Sequence, residues 1–421
     1  MNISLRHPGL RHQPLRHPDL GLPSTEDLCL SGPAPEDRSV AQAEPGPLVR
    51  PSLTAARRVV VKVGTRVVTD DPGDLALERL RTLVRRIASL RRSGRDVLLV
   101  SSGAVRLGSA MLRLGAPPVD DSLRRVCAAV GQARLVALYQ EELTRHGLAC
   151  GQVLLTQGDF DDRPRYLELR RTLETLLASG AVPILNENDA VARERPALAR
   201  ARPVFSDNDR LAALVASKLD AQLLVLLTDV DGVFDRPPNE LGAKRLPRVD
   251  DDRLLGGVAG DDGQGIGRGG MTSKVEAASI AARGGCHAVI ASGHQPGALE
   301  RVLAGRDEGT WFPARGSLPA RRRWIAFAAS PRGVLHLDAG AVDALRRRGA
   351  SLLPVGVHQV EGEFKNGEVV ELRGPGDTVV GRGIALYDST TVRRWLAGER
   401  PADLRNPNAL IRRTHVVLEG D

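Results

Sequence analysis

A lysine near the end of an apolar run could bring a positive charge to a phosphate group. Only five of the 59 basic residues are lysines, so the sequence fills basic positions with arginine almost throughout. Lys62 lies in the run Val59–Val63, directly before Gly64, which should turn the chain. An ammonium group and the free amides of such a turn suit a phosphate chain. The alternative is a lysine that extends along a sheet edge into water.

A glycine-rich segment precedes a second lysine. Five glycines lie within the eight residues 263–270, and Lys274 follows one turn into a helical pattern. Each glycine loses extra backbone entropy on folding, so such a run suits close backbone approach to a ligand. A helix N-terminus also favours an anion, and Lys274 would add its charge there. A disordered surface loop is the alternative interpretation.

Small polar residues follow two further apolar runs. Ser101–Ala104 come directly before a helical pattern, where free amides could bind an anion, although an ordinary helix cap has the same composition. Asn186–Asp189 are four polar residues directly after a buried run. Such residues could bind the ammonium and carboxylate groups of a small zwitterion.

Acidic residues begin one helical pattern and end one apolar run. Ser206–Asp209 could cap the next helix, orient cationic side chains or hold a hydrated Mg²⁺. Thr228 and Asp229 follow the apolar run Leu223–Leu227. No Ser/His/Asp or Cys/His set and no Walker motif stands out. The pattern therefore favours direct in-line phosphoryl transfer, which depends on positioning and charge neutralisation.

The elements that must position these residues alternate along the chain. Helical spacing and short apolar runs succeed each other, which predicts a mainly parallel sheet covered on both faces. We therefore predict a three-layer α/β/α sandwich with ligands at the carboxyl ends of its strands. The predicted strands are Val59–Val63, Val97–Val100, Gln152–Leu155, Val182–Leu185, Leu223–Leu227 and Ala288–Ala291. The predicted helices are Leu75–Ser93, Leu123–His146, Pro164–Ser179, Asn208–Lys218 and Met271–Arg283.

The two ends of the chain differ from this central region. Residues 1–55 hold nine of the 27 prolines and a repeated Leu-Arg-His triplet, which predicts a disordered low-complexity leader. Near residue 320 the pattern changes to short, glycine-punctuated strands, typical of a small, mainly β barrel. We therefore expect an α/β domain at 56–320 and a barrel domain at 321–421.

The composition excludes several classes of protein. No run approaches the roughly 18–20 apolar residues of a membrane span, and no apolar core follows the basic residues of the N-terminus. The four cysteines form no CxxC pair, which favours a reducing compartment, so we expect a cytoplasmic protein. A net charge of +8 is modest for 421 residues and does not require a nucleic acid partner.

Many segments, in order, resemble the amino acid kinase family. They are VVVKVGTRVVT, VSSGAVRLG, AAVGQARL, GQVLLTQGDFDDRPRYL, VPILNENDAVA, FSDNDRLAALVA, LLVLLTDVDGVF, GIGRGGMTSK, RRRWIAF and GASLLPVGV. Within the family the chain is most similar to members that phosphorylate the side-chain carboxylate of L-glutamate. The resemblance implies L-glutamyl 5-phosphate and ADP as products, in the first step of proline biosynthesis. The C-terminal region resembles a PUA domain.

The resemblance also implies a role for individual residues. Catalysis would fall to Lys62, Lys274 and Asp209, the carboxylate holding both lysines in place. L-Glutamate would be bound by Ser102, Asn186, Asp189, Asp207 and Asn208. ATP would be bound by Lys62, Gly64, Thr228, Asp229, Arg268, Gly269, Gly270, Met271, Thr272, Ser273 and Lys274. Mg²⁺ would bridge the ATP phosphates, and no side chain is assigned to it as a ligand.

The family further implies proline as a feedback inhibitor and assembly into a homo-oligomer, a dimer or tetramer. This chain departs from the family pattern at several positions. Arg66, Ser206, Ala212 and Arg268 replace the usual Ser, Gly, Ser and Thr, and the segment Arg193–Pro203 is longer than usual.

Two alternatives stay open. One is another amino acid kinase, acting on aspartate, acetylglutamate, carbamate or a nucleotide monophosphate. The other is RNA binding by the PUA-like region beside a degenerate kinase body. That region carries a net charge of only about +4, less than a dedicated nucleic-acid binder shows.

Overall fold

The computed structural model describes residues 50–70, 75–191, 208–251, 270–316, 318–399 and 409–419, and all of them lie in one structural unit. Several sequence predictions concern residues outside these ranges: most of the leader, Arg193–Pro203, Ser206, Asp207, Arg268 and Gly269. The described part begins within the predicted leader. Pro51–Thr54 form a short helix, and the Arg50 side chain before it is buried.

Seven strands of the described chain form the first sheet, in the order β3-β4-β2-β1-β5-β6-β7. All neighbours are parallel except the last pair. Each predicted strand lies within one of the six parallel strands. The three-residue seventh strand was not predicted because it is too short to show a period. The bounds are β1 Arg58–Val63, β2 Asp96–Ser101, β3 Cys150–Leu155, β4 Val182–Glu187, β5 Leu223–Thr228, β6 His287–Ser292 and β7 Thr310–Phe312.

Helices cover both faces of this sheet, as predicted. Apolar side chains of α1–α5 and α10 form one core with alternate strand residues, and those of α6–α9 form the other. The bounds are α1 Pro51–Thr54, α2 Thr65–Val68, α3 Leu77–Arg92, α4 Ala104–Met111, α5 Asp121–Thr144, α6 Gln157–Asp161, α7 Arg163–Ala178, α8 Asn208–Lys218, α9 Met271–Arg283 and α10 Ala298–Leu303.

The alternation of β1 decides which helices Lys62 faces. Val59, Val61 and Val63 pack into the core with α3 and α5, whereas Val60 packs into the core with α8. Successive side chains of a strand point to opposite faces, so Lys62 lies on the α8 side. The strand is central in the sheet, with Lys62 between Val100 of β2 and Leu226 of β5.

A second sheet follows, with five strands in the described residues and the order β12-β11-β10-β8-β9. The prediction of a mainly β C-terminal region is confirmed. The helical turn Trp324–Ala328 lies before this sheet, and its apolar side chains belong to the core on the α8 face of the first sheet. The remaining bounds are α11 Ala320–Arg323, β8 Gly333–Leu337, α12 Ala339–Arg348, β9 Val357–Gly362, β10 Val369–Gly374, β11 Thr378–Ile384, α13 Ser389–Leu396 and β12 Val416–Leu418. None of the described helices is both long and apolar enough to cross a bilayer.

Candidate active site at the carboxyl edge of the first sheet

Two lysines share one buried carboxylate at the carboxyl edge of the first sheet. Lys62 Nζ lies 2.7 Å from Asp209 Oδ1, and Lys274 Nζ lies 3.3 Å from Asp209 Oδ2. The Asp209 side chain is 1% exposed, and both lysine side chains are less than 10% exposed. Lys62 is therefore buried and does not extend into water, because the ion pair offsets the cost of removing its charge from solvent.

The folding of three segments produces this cluster. Lys62 is the last but one residue of β1, Asp209 lies in the first turn of α8, and Lys274 lies in the first turn of α9. Each helix leads into a strand that runs parallel to β1, so both helix N-termini lie at the carboxyl edge of the sheet. The backbone amides at such ends favour negative charge.

The charges of the cluster leave it one positive charge in excess. Burial alone would raise the pKa of the Asp209 carboxyl, but Lys62 and Lys274 outweigh that effect and hold the pKa below its ordinary value. The carboxylate is therefore ionised and neutralises one ammonium group. The excess charge, together with two helix N-termini, suits the negatively charged oxygens of a phosphoryl group during its transfer.

Amide and hydroxyl side chains form a hydrogen-bonded network next to this cluster. Asn208, the residue before Asp209, donates through Nδ2 to Ser102 Oγ at 3.0 Å and to Asn186 Oδ1 at 2.9 Å. The Asn186 amide in turn donates to Gln132 Oε1 at 2.6 Å. Three of the predicted glutamate-binding residues are thus in direct contact. Gln132 was not predicted; a long polar side chain on the buried face of α5 was the available signal.

A cavity of about 290 Å³ adjoins the network. Its polar lining comes from Gln132, Gln152, Glu187, Asn188 and Asp189, and alanines of α4 and α5 form much of the rest. Two carboxylates and several amides suit an ammonium group and the polar ends of a small molecule. Asp189, predicted to bind glutamate, therefore lies in the same pocket lining as Gln132.

Gly64 and the end of β5 form the other side of the cluster. The Gly64 amide donates to the Leu227 carbonyl at 2.9 Å. A Cβ at Gly64 would lie 3.3 Å from that oxygen and 3.9 Å from Lys62 Nζ, so there is little room for a side chain at this position. Thr228 is buried, and its hydroxyl donates to Asp229 Oδ1 at 3.0 Å.

Arg66 binds the other carboxylate oxygen of Asp229. Arg66 Nη1 lies 2.6 Å from Asp229 Oδ2. Burial would raise the pKa of Asp229, but hydrogen bonds from Arg66 and Thr228 outweigh it and lower the pKa. Thus the arginine that departs from the family pattern contacts a residue predicted to bind ATP.

The first turn of α9 completes the described site. Gly270 precedes the helix, and its carbonyl accepts hydrogen bonds from the Ser273 hydroxyl at 2.9 Å and from the Lys274 amide at 3.4 Å. Thr272 is exposed, while Met271 and Ser273 are half-buried. These residues form a helix N-terminus beside the lysine cluster, which is where a phosphate would be favoured.

Comparison with known families identifies this arrangement. Residues 57–292 match the model of the amino acid kinase family, a span that includes every residue of the lysine cluster and its network. The chain belongs to the amino acid kinase family. Residues 333–400 match the PUA domain, which is the region of the second sheet.

This amino acid kinase is similar over most of its length to curated bacterial enzymes. It is 42% identical to the glutamate 5-kinase of Bradyrhizobium diazoefficiens, over 89% of this chain and 99% of that enzyme. It is 45% identical to the glutamate 5-kinase of Chromohalobacter salexigens, over 82% and 90% of the two chains. The glutamate 5-kinase of Myxococcus xanthus is 44% identical, over 84% and 93%. The amino acid kinase family is a family of phosphotransferases.

Proposed function

We propose that this kinase transfers the γ-phosphoryl group of ATP to the side-chain carboxylate of L-glutamate, the first step of proline biosynthesis. The products are L-glutamyl 5-phosphate and ADP. The single observation that carries the proposal is the Lys62–Asp209–Lys274 cluster beside the network of Asn208, Asn186 and Ser102. The names of the relatives support glutamate as the substrate.

The chemistry needs little from the protein beyond positioning and charge. A carboxylate is already ionised at neutral pH, so its oxygen attacks the γ-phosphorus without a general base. The bond to the β–γ bridging oxygen breaks, and its electron pair leaves with ADP. Lys62 and Lys274 neutralise the equatorial oxygens of the phosphoryl group, while Asp209 keeps both ammonium groups in place.

Glutamate and ATP would approach the cluster from opposite sides. Asp189 would bind glutamate from the lining of the cavity, and Ser102, Asn186 and Asn208 from the adjoining network. Asp207 is proposed as a further glutamate-binding residue. Gly64, Thr228, Asp229 and the residues 268–274 hold ATP. The excess positive charge of the cluster fits a nucleotide polyphosphate. Mg²⁺ bound together with ATP would supply further neutralisation of charge.

Proline, assembly and location extend this proposal. Proline carries the same α-carboxylate and ammonium charges as glutamate, so it would compete for the same cavity as a feedback inhibitor. We place the catalytic domain at residues 56–320 and a regulatory or architectural domain at 321–421, in a cytoplasmic homo-oligomer, a dimer or tetramer. Exposed apolar side chains from the end of α4, through the connecting segment, to the start of α5 suit such an assembly: Met111, Leu112, Leu114, Val119, Leu123 and Val126.

The test is capture of the acyl phosphate. Purified protein, Mg-ATP and L-glutamate are mixed with hydroxylamine, with L-aspartate and N-acetyl-L-glutamate as parallel acids and L-proline as an added inhibitor. We expect glutamate-selective hydroxamate, reduced by proline and lost by a factor of about 10² or more in Lys274→Ala. Lys244→Ala, at an exposed lysine, is the matched control and should keep full activity.

Other outcomes would replace the proposal. Hydroxamate from another acid would keep the reaction class and change the substrate. A folded, ATP-binding protein that makes no hydroxamate with any acid would contradict the proposal. A salt-dependent affinity for RNA would then favour the binding role of the PUA region.

A further inference from the structure

Arg210 joins the two helices that carry Asp209 and Lys274. It follows Asp209 in α8, and its Nη1 lies 2.8 Å from Oε1 of Glu276. Glu276 lies two residues after Lys274 in α9. The Arg210 side chain is 12% exposed and that of Glu276 is 39% exposed, so water reaches the pair only from the Glu276 side. The two helices are therefore joined by a second ion pair, one residue along α8 and two residues along α9 from the Asp209–Lys274 contact.

One residue of the C-terminal segment supports this tie. Arg210 Nη2 donates to the Phe327 carbonyl at 3.2 Å. The guanidinium carbon of Arg283, in the last turn of α9, lies 5.1 Å from the centroid of the Phe327 ring. Phe327 is 5% exposed. A single buried residue that precedes the second sheet thus contacts both α8 and α9.

The second sheet holds that segment in place. Arg382 of β11 donates through Nη1 to the Ala326 carbonyl at 2.9 Å. Val369, Ile384 and Val417 of the same sheet pack into one core with the turn Trp324–Ala328 and with α8 and α9. A continuous set of contacts therefore runs from β11 through the turn to Arg210 and Glu276.

We propose that Arg210 is a positioning residue for phosphoryl transfer. It holds the first turns of α8 and α9 at the spacing that lets Asp209 and Lys274 meet, and the C-terminal segment supports it through the Phe327 carbonyl. The planar guanidinium can donate to Glu276 and to Phe327 at once, whereas an ammonium group lacks this fork geometry. This inference rests on the proposed kinase reaction, since it assigns the positioning of that reaction's charged groups.

The structure offers a matched control for a purely structural role. Arg323 also ties the C-terminal segment to these helices, but at their far ends. It donates to the Gly284 carbonyl at 3.3 Å, at the end of α9, and forms an ion pair with Asp220, just after α8. Its side chain is 7% exposed, similar to that of Arg210. Arg323→Lys therefore removes a comparable contact without touching the turns that carry Asp209 and Lys274.

The experiment compares Arg210→Lys, Glu276→Gln and Arg323→Lys in the full chain. For each variant, hydroxamate formation gives kcat and the KM of each substrate, and a thermal melt gives the unfolding midpoint. Small displacements of reacting groups cost one to two orders of magnitude in rate. We therefore expect Arg210→Lys and Glu276→Gln to lower kcat about 10- to 100-fold with little change in either KM. Arg323→Lys should lower the midpoint and keep kcat.

Hydrogen exchange supplies a readout that does not depend on activity. We expect faster exchange in the first turns of α8 and α9 in Arg210→Lys and Glu276→Gln, and only at their last turns in Arg323→Lys. An unchanged kcat in Arg210→Lys and Glu276→Gln would overturn the proposal, as would an equal loss of kcat in Arg323→Lys. Failure of the wild-type chain to make hydroxamate would instead count against the kinase reaction itself.

Discussion

Among the described residues, two buried lysines form an ion pair with a carboxylate and a third contacts an aromatic ring. Lys62 and Lys274 both contact Asp209, so their charges are neutralised in part and are available to a phosphate. Lys218, at the other end of α8, is 2% exposed, and its Nζ lies 2.9 Å from the centroid of the Tyr166 ring. Burial and the nearby Arg170 and Arg163 lower the pKa of Lys218 to about 6. Lys218 is therefore mostly neutral at pH 7.

Lys218 should make stability depend on pH. Its pKa is about 6 in the folded chain and about 10.5 when exposed, so the unfolded chain binds one more proton between these values. The free energy of unfolding therefore rises with pH across that window, by up to about 1.4 kcal/mol per pH unit. Below pH 6 Lys218 is charged in both states, and the folded chain bears the full cost of burying that charge. Lys218→Met keeps the length of the side chain and removes this titration.

We therefore expect Lys218→Met to unfold at a higher temperature than the wild type at pH 6.5, with the gap narrowing at pH 8.5. Thermal melts at several pH values check this. Lys244→Met, at an exposed lysine, serves as the control and should run parallel to the wild type. If the unfolding temperature of Lys218→Met also changed with pH in the same way as that of the wild type, Lys218 would keep its proton in the folded chain.

At the scale of elements, the contact between α4 and α5 places Gln132 in the site. A Cβ at Gly131 would lie 1.9 Å from the Ala104 carbonyl oxygen, and one at Gly108 would lie 1.8 Å from the Cys127 carbonyl oxygen. The two backbones therefore touch, which only glycine permits at these two positions. Gln132 follows Gly131 and accepts the hydrogen bond of Asn186.

Gly131→Ala should push α5 away from α4 and displace Gln132. We expect a lower unfolding midpoint and a KM for glutamate that rises several-fold more than the KM for ATP, because the network lies on the glutamate side. Steady-state kinetics with each substrate varied in turn checks this split. Ala137→Ser, at an exposed position of the same helix, is the control and should change neither quantity. Equal changes in the two KM values would place the effect outside the glutamate pocket.

At the scale of the whole molecule, the first described residue anchors the start of the chain. The Arg50 guanidinium is 1% exposed, forms an ion pair with Asp307 at 2.6 Å and donates to the carbonyls of Glu308 at 2.7 Å and Pro247 at 2.8 Å. Its own amide donates to the Gly305 carbonyl at 2.7 Å. From the composition we predicted that residues 1–55, including Arg50, form a disordered leader. These contacts instead make Arg50 part of the fold around the first sheet.

Arg50→Met should destabilise the fold by about 1–3 kcal/mol, since it leaves the carbonyls of Glu308 and Pro247 without their donor, while Asp307, which is 33% exposed, keeps its contact with Arg245. A chain that starts at residue 48 keeps Arg50 and should retain both stability and activity. Unfolding midpoints of the two proteins, with Arg57→Met at an exposed arginine as control, test this. A large loss of stability on removal of residues 1–47, with no loss in Arg50→Met, would move the anchor into the leader.

The patterns of the sequence determined the layers of this protein and the edge at which its chemistry gathers. Alternating and helical periods show which face of a segment is apolar, and parallel strands bring their polar ends to one edge because all run in the same direction. The approximate place of Lys62, Asn186 and Lys274 therefore follows from local pattern. The residues by themselves left Ser206–Asp209 open between a helix cap, the orientation of cationic side chains and a Mg²⁺ site, and only the family resemblance assigned Asp209 to Lys62 and Lys274.

Tertiary structure alone decided which of these residues touch. Gln132 and Asn186 are 54 residues apart, Arg210 and Phe327 are 117 apart, and the buried contacts of Arg50 span still longer separations. Local periodicity carries no information on such pairs, because they depend on how whole helices pack and on the register of the sheet. The same holds for the sharing of Asp209 by two lysines, since a buried charge is stable only where the completed fold brings its partners within contact.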